Sequence, residues 1–97
     1  MEGTGDFPKL DPQGPELVYA VIANHLEARI RHGDFNPGQR LPAERELAEN
    51  YGVAYMTMRR AIRELRERGL VLTVVGKGNF VVRELPRNPP PDATVVE

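Results

Sequence analysis

Ninety-seven residues with a formal charge of −1 and 40% hydrophobic content make room for one small globular domain. The chain has no cysteine, serine or tryptophan, which excludes a disulfide framework, a thiolate metal site and any Ser or Cys nucleophile. No apolar run approaches the length of a membrane span and the acidic, glycine-bearing start is unlike a signal peptide, so a cytoplasmic location is expected.

The charge is unevenly spread. Residues 1–39 hold three bases against six acids, residues 40–87 ten bases against six acids, and residues 88–97 two acids only. Eleven of the thirteen bases are arginine, the side chain suited to forked contacts with phosphates and guanine edges. The two histidines, His25 and His32, have no third ligand beside them, so neither a metal nor a cofactor is expected.

Residues 1–14 carry three glycines and two prolines and read as a flexible arm. The first helix is expected from Pro15 to His32. Pro15 suits a first turn, Gly33 suits the left-handed position after the last, and Val18, Ile22, Leu26 and Ile30 recur every four residues, with Val21 widening the stripe. His25 beside that stripe reads as a partly covered structural histidine. A turn follows at 34–38, then a short extended piece at 39–41 before Pro42. The second helix is expected at 43–50, with Leu47 and Ala48 inward, broken by Gly52.

The third helix is expected at 55–68. With Met58 as origin and about 100° per residue, Ala61, Ile62 and Leu65 fall within about 60° of it and make the buried face. Met56, Arg60, Arg63 and Glu67 lie on the far side, with Thr57 and Arg59 on the flanks. After Gly69 the period becomes that of strands, at 70–75 and 80–83, around a hairpin turn at 76–79 bearing Lys77. The whole is mainly α with a small β-hairpin, a winged helix-turn-helix of three helices and a two-stranded wing over residues 15–85. Residues 86–97, with three consecutive prolines, read as a stiff linker.

Two catalytic readings fail on spacing. Gly76-Lys77 is followed by Gly78, Asn79 and a strand, where a phosphate-binding loop needs Ser or Thr directly after the lysine and then a helix. Glu64 with Arg68, and Glu67 with Arg63, are helix partners four apart and not paired carboxylates for proton transfer. No enzymatic activity is expected.

The run 41–48, Leu-Pro-Ala-Glu-Arg-Glu-Leu-Ala, with Gly52-Val53, the run 57–65, and Gly76-Lys77-Gly78-Asn79-Phe80-Val81, resembles the N-terminal DNA-binding domain of the GntR family of bacterial transcription regulators. The wing sequence looks most like the branch that includes histidine-utilisation repressors. The resemblance implies a DNA-binding regulator, usually a repressor occluding a promoter, acting as a homodimer on an inverted-repeat operator in double-stranded DNA. It also implies a larger effector domain beyond the linker.

Residue by residue, it implies that Arg45 contacts phosphate or base from the second helix. Thr57 and Arg59 would work in the major groove, and Gly78 with Lys77 would approach the minor groove. Tyr55 and Met56 stand where many members carry Arg and a small polar residue, so Tyr55 would bond a phosphate or pack on a thymine methyl and Met56 would make apolar contacts. A half-site unlike the family's commonest is therefore expected. For Arg60 and Arg63 a solvated helix face accounts for their position as well as a DNA contact does. Ala43 and Ala54 stand where members usually carry Ser or Thr, so each helix start loses a capping oxygen, while Glu46 keeps the acidic half of a capping box. The alternative to a DNA-binding domain is a winged helix used for protein–protein contacts.

Overall fold

The computed structural model describes residues 15–86, with side chains from Val18 onward. The arm expected at 1–14 and the linker expected beyond Pro86 lie outside the described residues. The helices are α1 (Pro15–His32), α2 (Glu44–Tyr51) and α3 (Tyr55–Glu67), followed by strands β1 (Val71–Val74) and β2 (Gly78–Val81).

Burial explains the helices. Met58, Ala61, Ile62 and Leu65 on α3 are all completely buried and face Ile22, Ala23, Leu26 and Ile30 of α1 and Leu47, Ala48 and Tyr51 of α2 in one cluster. On α1 the expected stripe is rotated. Ile22, Leu26 and Ile30 advance by about 40° at each step, which brings Ala23 into the core and leaves Val18 and Val21 half-buried at its edge. The small Ala23 and Ala61 side chains are both completely buried in this cluster.

All three helices stop in the same way. After α1 the Gly33 amide donates to the Ile30 carbonyl and the Asp34 amide to that of Arg29, at 3.1 and 2.9 Å. Gly52 with Val53, and Gly69 with Leu70, repeat the pattern after α2 and α3. Each glycine has a positive φ, as this cap requires. The helix starts are less well served. Ala43 and Ala54 have the extended backbone of N-caps but supply no side-chain bond. That makes Ala43 the cap and Glu44 the first residue of α2, one later than expected.

The wing departs further from expectation. The Lys77 amide closes a turn onto the Val74 carbonyl at 2.9 Å, with Gly76 at φ 80° in the position of a type II turn that demands it. The turn is thus 75–77, and Gly78 and Asn79 belong to β2, where Gly78 opposes Val74 and Asn79 opposes Thr73. The expected four-residue turn at 76–79 is corrected accordingly, and β2 ends at Val81, short of Arg83. The extended piece before Pro42 has a partner as well. Leu41 donates to Asn79, Val81 to Gln39 and Gly38 to Val81, each at 2.8 Å, so β2 lies between β1 and this third edge. Pairing on both sides fixes the wing beside the start of α2.

Candidate nucleic-acid interface

The core face of α3 determines what its other face shows. With Met58, Ile62 and Leu65 turned inward, Arg59 and Arg63 keep more than half of their side-chain surface exposed and Met56 is 66% exposed. Tyr55, at the first position of α3, is exposed at the point where α2 and the wing meet. Arg45, in the first turn of α2, lays its guanidinium over the Tyr55 ring at 4.6 Å, and Arg59 approaches the same ring at 5.9 Å.

Two clefts flank these residues and share Glu44, Tyr55 and Thr73. One runs between α2 and the wing and is lined by Arg40, Arg45, Lys77 and Gly78. The other runs along α3 and is lined by Met56, Arg59, Arg60, Arg63 and Arg66. Glu44 is the sole acid among the described residues of either lining. It sits 3.9 Å from Arg59 and accepts a bond from Asn79 at 3.1 Å. Asn79 in turn accepts from the Thr73 hydroxyl at 2.6 Å, and that hydroxyl accepts from Arg66 at 3.0 Å. This relay joins α2, the wing and α3, with Asn79 buried and Arg66 and Thr73 exposed.

The arginines on the opposite side are neutralised. Arg68 donates to Glu27 at 2.8 Å and to Glu64 at 3.1 Å, and Arg31 donates to Glu27 at 2.9 Å. Burial opposes ionisation of Glu27 most strongly, but the bonds and charges of Arg31 and Arg68 together outweigh it and hold its carboxyl below the ordinary range. His25 is structural, its Nδ1 2.6 Å from the Tyr51 hydroxyl, and burial raises the Tyr51 pKa. Among the described residues Arg40, Arg45, Arg59, Arg60, Arg63, Arg66 and Lys77 stand on the cleft side.

The expected site residues divide between these elements. Arg45, Tyr55, Lys77 and Gly78 come together in the first cleft, and Tyr55, Met56, Arg59, Arg60 and Arg63 in the second. Thr57 is half-buried and lines neither. Gly78 opens β2 and is not at the tip of the wing. Its φ of 124° favours glycine, and a Cβ there would stand 3.0 Å from Arg40 Nε, so the Arg40 side chain would have to shift. Arg60 lies over the Tyr19 ring at 3.9 Å, donates to its hydroxyl at 3.0 Å and comes within 3.6 Å of Glu64, which ties it to the α1–α3 seam. Arg40 and Arg66 join the linings through pairing with β2 and contact with Thr73, neither of which local periodicity encodes.

Residues 18–81 match the family described as bacterial regulatory proteins, gntR family. The chain belongs to the GntR family. Among curated GntR-type relatives, it is 38% identical over 72 residues to the transcriptional repressor NagR of Bacillus subtilis, covering 74% of this chain and 30% of that one. It is also 38% identical over 69 residues to a histidine utilization repressor of Pseudomonas putida, covering 71% and 28%. The chain therefore spans about a third or less of the length of these relatives. Among solved structures, a GntR family regulator from Listeria monocytogenes superposes with a TM-score of 0.68 at 29% identity, over 80% of this chain and 64% of that one. The DNA-binding domain of AraR in complex with operator ORE1 superposes with a TM-score of 0.64 at 38% identity, over 66% and 78%. The winged helix-turn-helix expected from the sequence is the GntR winged helix.

Proposed function

We propose that this chain is the sequence-specific DNA-binding domain of a transcriptional repressor. In this reading α3 enters the major groove of a double-stranded operator and the wing lies along the adjacent minor groove. The observation that carries it is the continuous surface of seven cations and one acid across the two clefts, built around an exposed helix. A helix of this width fits the major groove of B-DNA, and arginine forks match guanine edges and phosphates. The operator-bound AraR domain and the repressors among its relatives support the same reading.

Arg45, Arg59 and Arg63 are the contacts of α2 and α3, Tyr55 and Met56 line the approach to the bases with Thr57 half-buried behind them, and Lys77 beside Gly78 serves the wing. Arg60 acts chiefly in the fold. The domain acts by occluding a promoter and carries no catalysis. In a longer regulator it is paired by a dimerising domain on an inverted repeat, in the cytoplasm, with half-sites spaced by the helical repeat.

Selection of the purified chain on random duplex DNA tests this, followed by titration of the winner at several salt concentrations. A recovered half-site, with affinity falling steeply as salt rises, is the expected result. Binding without any preferred sequence, or no binding to DNA, refutes it and favours a protein-contact module.

A further inference from the structure

Three of the six arginines that line the clefts donate hydrogen bonds within the chain. Arg60 donates to Tyr19, Arg63 to Glu67 and Arg66 to Thr73. Among the described residues Arg40, Arg45 and Arg59 donate no such bond, and Arg45 and Arg59 share one neighbour. Both instead meet the ring of Tyr55, at 4.6 and 5.9 Å. A guanidinium is planar, so contact through its face leaves the N–H groups around its edge free. Those edges are what a bidentate contact to the O6 and N7 of guanine uses. Glu44, 3.9 Å from Arg59, adds attraction without a hydrogen bond, so the edge of Arg59 stays open.

We propose that Tyr55 is a positioning residue whose ring presents Arg45 and Arg59 as a preset pair for reading base edges. This rests on the DNA-binding reading above. Both arginines are long and exposed, and restricting their rotamers before contact removes an ordering cost from the specific complex. A loosely bound phosphate needs no preset edge, so binding to arbitrary duplex DNA gains little. The ring thus raises discrimination more than overall affinity. The phenol hydroxyl has no part in this.

The test compares the chain with Tyr55→Phe, Tyr55→Leu and Tyr55→Ala on the selected duplex and on a scrambled one, with thermal melts to establish folding. Tyr55→Phe retains the specific-to-scrambled ratio within about twofold, while Tyr55→Leu and Tyr55→Ala lower it about tenfold, with the loss falling mainly on the selected duplex. In an Arg45→Ala/Arg59→Ala background, Tyr55→Ala adds little. A Tyr55→Phe loss as deep as that of Tyr55→Ala overturns the proposal in favour of a hydroxyl contact, and an unchanged ratio in Tyr55→Ala overturns it outright.

Proton NMR of the DNA-free chain gives an independent readout. Ring-current shifts of the Arg45 and Arg59 Nε–H are expected to persist in Tyr55→Phe and vanish in Tyr55→Leu, and their absence from the parent chain refutes the stacking. If the shifts are present but Arg45→Ala and Arg59→Ala leave DNA binding intact, it is the assignment of these arginines to DNA that fails, and the positioning role with it.

Discussion

Asn79 donates to the Glu44 carboxylate at 3.1 Å, and this bond ties β2 to the first turn of α2 across thirty-five positions of sequence. Asn79 is the sole polar residue among the buried positions described. Its amide oxygen accepts from the Thr73 hydroxyl, so neither end of the amide is left unpaired. The orientation of the wing relative to α3 is therefore set by a polar relay as well as by the strand ladder.

Removing the amide has a defined cost. Asn79→Ala strands the buried side of the Glu44 carboxylate and is expected to destabilise the domain by about 1–3 kcal/mol, read from the urea midpoint at unchanged slope. Asn79→Asp costs more at neutral pH, because it sets one carboxylate against another, and recovers in acid as one of them takes a proton. Equal stability of the two variants at pH 7 refutes the relay.

The helix starts are open to improvement. Ala43, at φ −59° and ψ 148°, and Ala54, at φ −65° and ψ 150°, already have the backbone of a capping residue but lack the oxygen. Ala43→Ser and Ala54→Ser are each expected to stabilise the fold by about 1 kcal/mol. In a domain of this size that raises Tm by roughly 4–8 °C, measured by circular dichroism. The two gains should add, since the caps serve different helices.

Much of this arrangement can be read from local pattern. The buried face of α3 follows from the positions of Met58, Ala61, Ile62 and Leu65, and the helix ends follow from Gly33, Gly52 and Gly69. What periodicity cannot supply is a partner distant in sequence. Asn79 beside two glycines has the composition of a turn, and only Glu44 and Thr73 draw it inward. Arg60 lies on the far side of α3 by angle, yet its side chain is long enough to reach Tyr19, forty-one residues earlier. Arg40 enters the cleft because the segment before Pro42 pairs with β2, a register no local signal specifies.

Two neighbouring arginines should therefore fail in different ways. Arg63 is 61% exposed and paired only with the exposed Glu67, so Arg63→Ala is expected to leave stability within about 0.5 kcal/mol. It should lower DNA affinity across sequences and reduce the salt slope by about one. Arg60→Ala removes a ring contact and a hydrogen bond at the α1–α3 seam, costing about 1–2 kcal/mol of stability. Its salt slope should match that of the parent chain. Denaturation and salt titration of both variants separate the roles.

Lys77 is the cation nearest the wing tip, and its neighbour Val75 is 93% exposed. Arg40 lines the same cleft, so the wing side does not depend on one charge. Lys77→Ala is expected to weaken operator binding by less than about tenfold at moderate salt, with a slope lower by about one. A much larger loss in a fluorescence anisotropy titration would show that the wing carries specific contacts of its own.

Acid should loosen the α1–α3 seam. Burial disfavours the charged form of Glu27, but Arg31 and Arg68, bonded at 2.9 and 2.8 Å, more than compensate and depress its pKa. A carboxyl depressed in the folded state contributes stability that is present above its unfolded pKa of about 4.3 and is lost as pH falls through the lower folded value. Stability should thus decline below about pH 4.3, and Glu27→Gln, which is less stable than the parent chain at pH 7, should shed part of that decline. The two stability curves are expected to converge in acid when followed by urea denaturation from pH 7 to pH 3. A constant offset between them would mean that Glu27 contributes through packing alone.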